Sequence, residues 1–244
     1  MHQSNQVSFV THTCVGDGSD YNFEEITPQY YVLDQDQESV CHIDDRTKVT
    51  STTSMPHKAI CKLYRRSANG HNLVGTGWLV AGNKLYTAGH CVYSHRAGGW
   101  MDSIIVVPGQ AGFSEPYGRY RAIELLTTNL WIDEQSRRYD IGAIKLESNI
   151  NHTDFLQPSS SDVDIVTVCG YPTDRDTGIF QYKMRDTVRR EDGRFSYYID
   201  THGGQSGSPL LRNSSVAIGI HNYGGCPNSG SDLVPEFIEY VNGW

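Results

Sequence analysis

A serine set among glycines, Asp200-Thr201-His202-Gly203-Gly204-Gln205-Ser206-Gly207-Ser208-Pro209, follows an apolar, strand-like run and is where a nucleophile would sit in this chain. Gly203, Gly204 and Gly207 open backbone conformations closed to other residues, so main-chain N–H groups can converge on an oxyanion beside Ser206 Oγ. An ordinary Gly/Ser-rich turn has the same composition, and the decapeptide alone does not separate the two. A serine hydroxyl also needs a base. The run Gly75-Thr76-Gly77-Trp78-Leu79-Val80 leads through Leu85-Tyr86-Thr87-Ala88-Gly89 to His90-Cys91, which puts a histidine at a tight turn directly after an apolar strand. Arg138-Tyr139-Asp140-Ile141-Gly142-Ala143-Ile144 puts a carboxylate at the start of another. In such a set His90 accepts the Ser206 proton and later delivers it to the leaving group, while Asp140 holds the imidazole tautomer and steadies its cation. The N–H groups of Gly204 and Ser206 would bind the oxyanion. A G-x-S-x-G nucleophile elbow is excluded twice, because Ser206 lies in Gly204-Gln205-Ser206-Gly207-Ser208 and the order is His, Asp, Ser rather than Ser, Asp, His.

Elements must bring these three stretches together. The 244 residues, 38% hydrophobic with 24 Gly and 15 Tyr, suffice for a well-buried core. Short strand-like runs at 59–64, 77–81, 85–88, 104–108, 120–126 and 141–146 precede a second set at 165–170, 180–188, 195–200, 208–211 and 216–222. Many short strands punctuated by Gly, Asn, Asp and Ser predict an all-β sandwich or barrel. The end differs: Asp232 can cap a helix with Pro235 in its first turn, and Phe237, Ile238 and Val241 share one side at helical spacing.

Charge is unevenly placed. Residues 1–38 carry seven acidic and no basic side chains, whereas 39–244 hold 20 basic against 21 acidic. The acidity belongs to the N-terminal segment, whose composition fits disorder or a removable pro-segment rather than a domain. No basic footprint is left for nucleic acid, and no apolar run approaches the roughly 18–20 residues that span a bilayer. Six cysteines without C-x-x-C spacing argue against zinc and for an oxidised, exported protein, with 15 pairings open. The sequons Asn151-His152-Thr153 and Asn213-Ser214-Ser215 agree with export, although Met1-His2-Gln3-Ser4 opens no visible signal peptide. No metal-ligand cluster and no nucleotide-binding glycine motif is apparent, so no metal or other cofactor is expected.

In the order His90, Asp140, Ser206 these segments resemble chymotrypsin-fold serine peptidases, from about Ser39 to the C-terminus. The resemblance implies an all-β fold of two six-stranded antiparallel β-barrels, over about 55–150 and 160–231, followed by a C-terminal α-helix over about 232–242. Within that fold the chain most resembles the bacterial-type glutamyl endopeptidases. The shared features are Ser39-Val40, Asp44-Asp45-Arg46-Thr47-Lys48-Val49, Thr87-Ala88-Gly89-His90-Cys91, Gly203-Gly204-Gln205-Ser206-Gly207-Ser208-Pro209 and His221 after Gly219-Ile220. The resemblance implies that His221 and Thr201 contact a substrate glutamate, that the α-amine of Ser39 lies near the same pocket once Glu38-Ser39 is cut, and that Tyr223 and Gly224 pair with the substrate backbone. A buried glutamate side chain needs such donors to replace its lost water. Asp200 points the other way, since it stands where trypsin-like enzymes keep the carboxylate that attracts Lys or Arg. A Lys/Arg-specific peptidase is therefore the alternative, and a non-catalytic homologue used for binding is a third. The resemblance also implies a bridge from Cys91, with Cys61 the nearest candidate because Thr76 occupies the usual partner position, and a Cys41–Cys226 bridge if the mature N-terminus approaches the pocket. The expected molecule is a secreted monomer acting on proteins or peptides.

Overall fold

The computed structural model describes residues 6–14 and 39–244. In chain order its strands are β1 (Phe9–Thr13), β2 (Thr47–Lys48), β3 (Ile60–Ser67), β4 (Asn72–Ala81), β5 (Lys84–Thr87), β6 (Tyr93–Ser94), β7 (Gly99–Pro108), β8 (Tyr120–Thr128) and β9 (Gly142–Leu146). The second half adds β10 (Gln157–Pro158), β11 (Ile165–Gly170), β12 (Tyr182–Thr187), β13 (Arg189–Glu191), β14 (Arg194–Tyr197), β15 (Pro209–Leu211), β16 (Val216–Tyr223) and β17 (Asn228–Asp232). Among the described residues the α-helices are α1 (Gly89–Val92), α2 (Asn129–Glu134) and, after the last strand, α3 (Pro235–Gly243).

The first sheet runs β1-β8-β9-β5-β4-β3-β7-β6, and a further β8–β7 pairing closes six of its strands into a barrel. The second runs β13-β14-β17-β16-β15-β11-β12-β2 with β10 added to β16, and its pairings leave it open as a half-barrel. This is the expected chymotrypsin-like, all-β architecture, with an open second half where the resemblance implied a closed six-stranded barrel. Trp78, Leu85, Ile104, Leu125 and Ile144 fill the first barrel, and Val168, Phe195, Tyr197, Leu210 and Ile218 the second. β3 and most of β4 are buried on both faces, one inside the barrel and the other against the second half, which erases the period-2 alternation a one-sided strand would show. Across that junction Thr76 Oγ1 on β4 donates to Gly204 O at 2.8 Å.

Three features depart from the local sequence signals. Phe9–Thr13, inside the acidic segment, forms a strand in register with β8, whereas residues 15–38, which carry all seven acidic side chains, lie outside the described residues. Asn228–Asp232 has the composition of a turn, Asn-Ser-Gly-Ser-Asp, yet it is a fully buried strand because β14 and β16 satisfy its backbone on both edges. Asp232 consequently ends β17 and accepts a hydrogen bond from Arg190 Nε at 2.8 Å instead of capping α3, which begins at Pro235 with Val234 before it. The apolar side of α3 is as expected: Phe237 and Val241 are buried and Ile238 packs against the same core.

Phe237 lies 5.1 Å from the Tyr86 ring and 5.8 Å from the Phe9 ring, so it joins α3 to the first barrel. Phe237→Ala should lower the unfolding free energy by about 3–5 kcal/mol, read from a denaturant titration; a change below about 1 kcal/mol would show that the helix does not anchor there.

Candidate active site

Each of the three chemical residues sits in a connection beside a strand terminus, His90 after β5, Asp140 before β9 and Ser206 before β15. The chain leaves β5 and turns at α1, so His90 stands at the barrel end and is fully buried. A side chain at Gly89 would come within 2.8 Å of both Asp140 Oδ1 and Thr127 Oγ1, which is why the residue before the histidine has none. Asp140 follows the short 3₁₀ turn Arg137–Tyr139 and precedes β9. Its Oδ1 accepts the His90 backbone N–H at 2.7 Å and its Oδ2 lies 2.8 Å from His90 Nδ1, so one carboxylate fixes both the main chain and the ring. Its backbone carbonyl accepts from Asn222 Nδ2 at 2.6 Å. Beneath the histidine, buried Arg65 donates through its two terminal nitrogens to His90 O at 3.2 Å and Val74 O at 2.6 Å.

Burial alone would pull the His90 pKa down, but the adjoining Asp140 carboxylate overturns this and holds it well above the ordinary histidine value. Burial would raise Asp140, and the His90 cation with its hydrogen bonds brings it below the usual carboxylate range. The structure thus favours the ion pair His90⁺–Asp140⁻.

His90 Nε2 has no hydrogen-bond partner among the described residues, and Ser206 is carried by the turn before β15 in the second half-barrel. Its carbonyl accepts from Thr76 N at 2.9 Å and lies 3.6 Å from Cys91 Sγ, the residue next to His90. The surrounding turn is pinned by Gln205 N to His202 O at 3.0 Å, Gly207 N to His221 O at 2.7 Å and Ser208 N to Gln205 O at 2.9 Å. Gly204 and Gly207 sit at φ +96° and +90°, in the left-handed region, and a Cβ on Gly207 would meet Thr76 O. His221 brackets the same turn from β16, its own N–H donating to Ser208 O at 2.8 Å. Its ring is buried, with Nδ1 2.6 Å from the Tyr197 hydroxyl. Thr201 Oγ1 is buried and has no hydrogen-bond partner among the described residues. Ser39 lies beside it: Ser39 O accepts from Thr201 N at 3.2 Å and from Asn228 Nδ2 at 2.7 Å, and Ser39 N donates to Asn228 Oδ1 at 3.2 Å. Tyr223 ends β16 with its buried ring 6.0 Å from His90 and the Arg137 guanidinium 4.4 Å above it. Gly224, half-buried, borders a depression of about 360 Å³ with Arg137, Arg194 and Pro227.

Asp200 is occupied elsewhere. Its Oδ1 accepts from Cys41 N at 2.8 Å and its Oδ2 from Asp45 N at 3.3 Å, so both oxygens face the stretch that starts at Ser39. The same stretch is tied down by Arg46, whose side chain is fully buried and pairs with Asp44 at 2.7 Å and Asp174 at 2.6 Å. Arg46 also reaches Gln205 Oε1 at 3.4 Å, next to the serine. The hydrogen bonds from Arg46 hold the Asp44 carboxyl well below the usual range. The sequence motif containing Asp44 and Arg46 therefore has a physical job, the clamping of the Ser39 stretch onto the nucleophile turn. Asn222, Asn228, Arg65 and Tyr197 are not marked in the sequence, because a lone Asn, Arg or Tyr inside a strand carries no local signal of what it will touch.

Of the two expected bridges, Cys41–Cys226 is present, with Cα atoms 5.5 Å apart. Cys61–Cys91 is not: both are free and buried, with Cys61 Sγ directed at Ala59 O and Cys91 Sγ at Ser206 O. The two sulfurs serve different carbonyls and do not meet.

Residues 47–243 match the trypsin family. A Bacillus subtilis (strain 168) protein named Extracellular metalloprotease is 35% identical over 218 residues, which is 84% of this chain and 69% of that protein. A glutamyl endopeptidase of Bacillus licheniformis is 33% identical over 223 residues, again 84% of this chain and 69% of its own length. A solved structure of a Glu endopeptidase is 31% identical and superposes with a TM-score of 0.73, covering 84% of this chain and 98% of that one. The metal in the first relative's name finds no donor set here, since among the described residues no three His, Cys, Asp or Glu side chains are grouped to hold an ion. The chain belongs to the trypsin family and is a chymotrypsin-fold serine endopeptidase similar to the glutamyl endopeptidases.

Proposed function

We propose that this endopeptidase cuts after glutamate or aspartate in exported surroundings, through His90, Asp140 and Ser206, and that it matures by cleavage between Glu38 and Ser39. Ser206 Oγ attacks the scissile carbonyl as His90 takes its proton, and Asp140 keeps Nδ1 protonated so that Nε2 is the base. The Gly204 and Ser206 N–H groups stabilise the developing oxyanion, each donor being worth about 2.7–4 kcal/mol in enzymes of this kind. His90 then passes the proton to the leaving amine. Water repeats the cycle on the acyl-enzyme.

The observation that carries the acidic preference is the engagement of Asp200 with the N–H groups of Cys41 and Asp45. A carboxylate facing the pocket would attract Lys or Arg; one spent on two backbone donors does not select a cation. Thr201 and His221, with the ring of His221 oriented by Tyr197, offer donors for a substrate carboxylate instead. Cleavage before Ser39 would place an α-amine, with a pKa of about 7.7–8.0, beside the same wall. The Asn228 side-chain oxygen that now accepts from Ser39 N would still receive it.

Peptides differing only in the residue before the scissile bond should be cut fastest with Glu, then Asp, and His221→Ala should reduce kcat/KM for Glu by tenfold or more; a preference for Lys or Arg would move the specificity role to Asp200. Ser206→Ala should abolish turnover and labelling by a fluorophosphonate while leaving the unfolding midpoint within a few degrees of the parent, and residual turnover would displace Ser206 as nucleophile. Catalysis needs neutral His90, so the raised His90 pKa sets the acid limb of kcat/KM above the ordinary value of about 6.5. The ion pair has the opposite dependence. Its contribution to stability is full below about pH 6.5 for the histidine and above about 3.9 for the aspartate, then fades as pH rises through the folded His90 value or falls through that of Asp140. Denaturant midpoints should therefore fall on the alkaline side as activity rises, and Asp140→Asn should remove the alkaline fall in midpoint and move the acid limb of the residual activity to lower pH.

A further inference from the structure

We propose that cleavage at Glu38–Ser39 does not release the N-terminal segment: residues 6–14 stay in the first barrel as a noncovalent strand, and the active enzyme is a nicked two-chain molecule. The inference rests on the processing proposed above. β8 is where the barrel is least covered, because β7 pairs with it only at Ile105↔Arg121 and Val106↔Tyr120. From Glu124 to Thr128 the same edge is taken by β1, in register from Thr13↔Glu124 to Phe9↔Thr128. The ladder continues past both ends, with Cys14 N donating to Ile123 O at 3.0 Å and Asn129 N to Ser8 O at 3.0 Å. Asn129 also accepts from Ser8 N through Oδ1 at 2.7 Å and donates through Nδ2 to Gln6 O at 3.3 Å.

Side chains secure the strand on both sides. The Phe9 ring lies 4.7 Å from that of Tyr240 and 5.8 Å from that of Phe237 on α3, and His12 stacks on Trp100 at 5.1 Å. Without β1, the outer edge of β8 over 123–129 would present a row of unpaired N–H and C=O groups, which folded proteins avoid. That edge leads straight into α2, where Trp131 lies 6.3 Å from the His90 ring, and on to the turn that carries Asp140. The strand therefore supports the catalytic side of the barrel.

Ser39 is anchored separately, by Thr201 and Asn228 in the second half-barrel. A cut before Ser39 severs a tether between two fixed points and leaves every β1–β8 hydrogen bond in place. Cys14 is a free thiol, so no disulfide holds the segment. Retention by main-chain pairing is the form of β-strand addition used between separate chains.

The test uses Ser206→Ala protein, which cannot cut itself, with the recognition sequence of a site-specific protease inserted between Cys14 and Glu38. After nicking, the N-terminal peptide should co-elute with the 39–244 chain in size-exclusion chromatography at micromolar concentration, appear with it in native mass spectrometry and separate only in denaturant. Elution of the peptide on its own would overturn the proposal. Val10→Pro removes a ladder donor, since Ser8 and Cys14 mark the hydrogen-bonded rungs and alternation makes Val10 another. In the nicked protein it should release the peptide at least tenfold faster, and unchanged release would place the retention outside this strand. Sequencing of natively purified active enzyme should give two N-termini, one at Ser39 and one upstream. A Ser39 terminus without the peptide would refute retention, whereas absence of any Ser39 terminus would refute the processing and leave retention to be decided by the nicked protein.

Discussion

The Asp140 carboxylate is the contact on which the rest of the site depends. It is fully buried, and two donors from one residue, the His90 main chain and ring, meet its two oxygens. A buried carboxylate is tolerable only when its lone pairs are filled and an opposite charge can stand beside it. That requirement explains the lack of a side chain at Gly89, where a Cβ would come within 2.8 Å of Asp140 Oδ1. It also sets the electrostatics, because the burial that would discharge either group alone leaves the pair charged together.

Around that pair the two halves of the molecule are joined by polar contacts that no single half could satisfy. Thr76 on the first barrel supports both Gly204 and Ser206 of the second. Arg46, fully buried, ties Asp44 to Asp174 and touches Gln205, so the stretch after Ser39 and the nucleophile turn share one network. The Cys41–Cys226 bridge adds a covalent link between that stretch and the loop after β16. Lys62, buried on β3 with its amine 5.7 Å from the Tyr171 ring, shows how far the junction excludes water: burial, with Arg65 nearby, pulls its pKa down to about 7. These contacts turn loops from distant parts of the chain into one rigid surface, which catalysis by positioned groups demands.

Much of this was legible locally. A histidine at the end of an apolar run, an aspartate opening another and a serine among glycines are short patterns, and their order along the chain pointed to one family of folds. Other parts were hidden for identifiable reasons. β17 reads as a turn because its residues are small and polar; it is a strand because β14 and β16 lie on either side of it. β1 sits beside an acidic run whose composition dominated the reading of residues 1–38, although Phe9, Val10 and the alternating residues around them suffice to pair an open edge. The Cys61–Cys91 bridge was an expectation taken from relatives, and the directions of the two sulfurs set it aside.

By itself the sequence determined which groups could do chemistry, that the chain would fold as short antiparallel strands, and that one terminal segment would carry the acidity. Those properties depend on residue type, spacing and period, all of which are local. Only the tertiary structure decided where the Asp200 carboxylate turns, that Asn228 and Tyr197 orient Ser39 and His221, and that a strand from the N-terminal segment completes the edge of β8. Each of these is a choice of hydrogen-bond partner between residues far apart in the chain, and a side chain takes the partner that folding brings within about 3 Å.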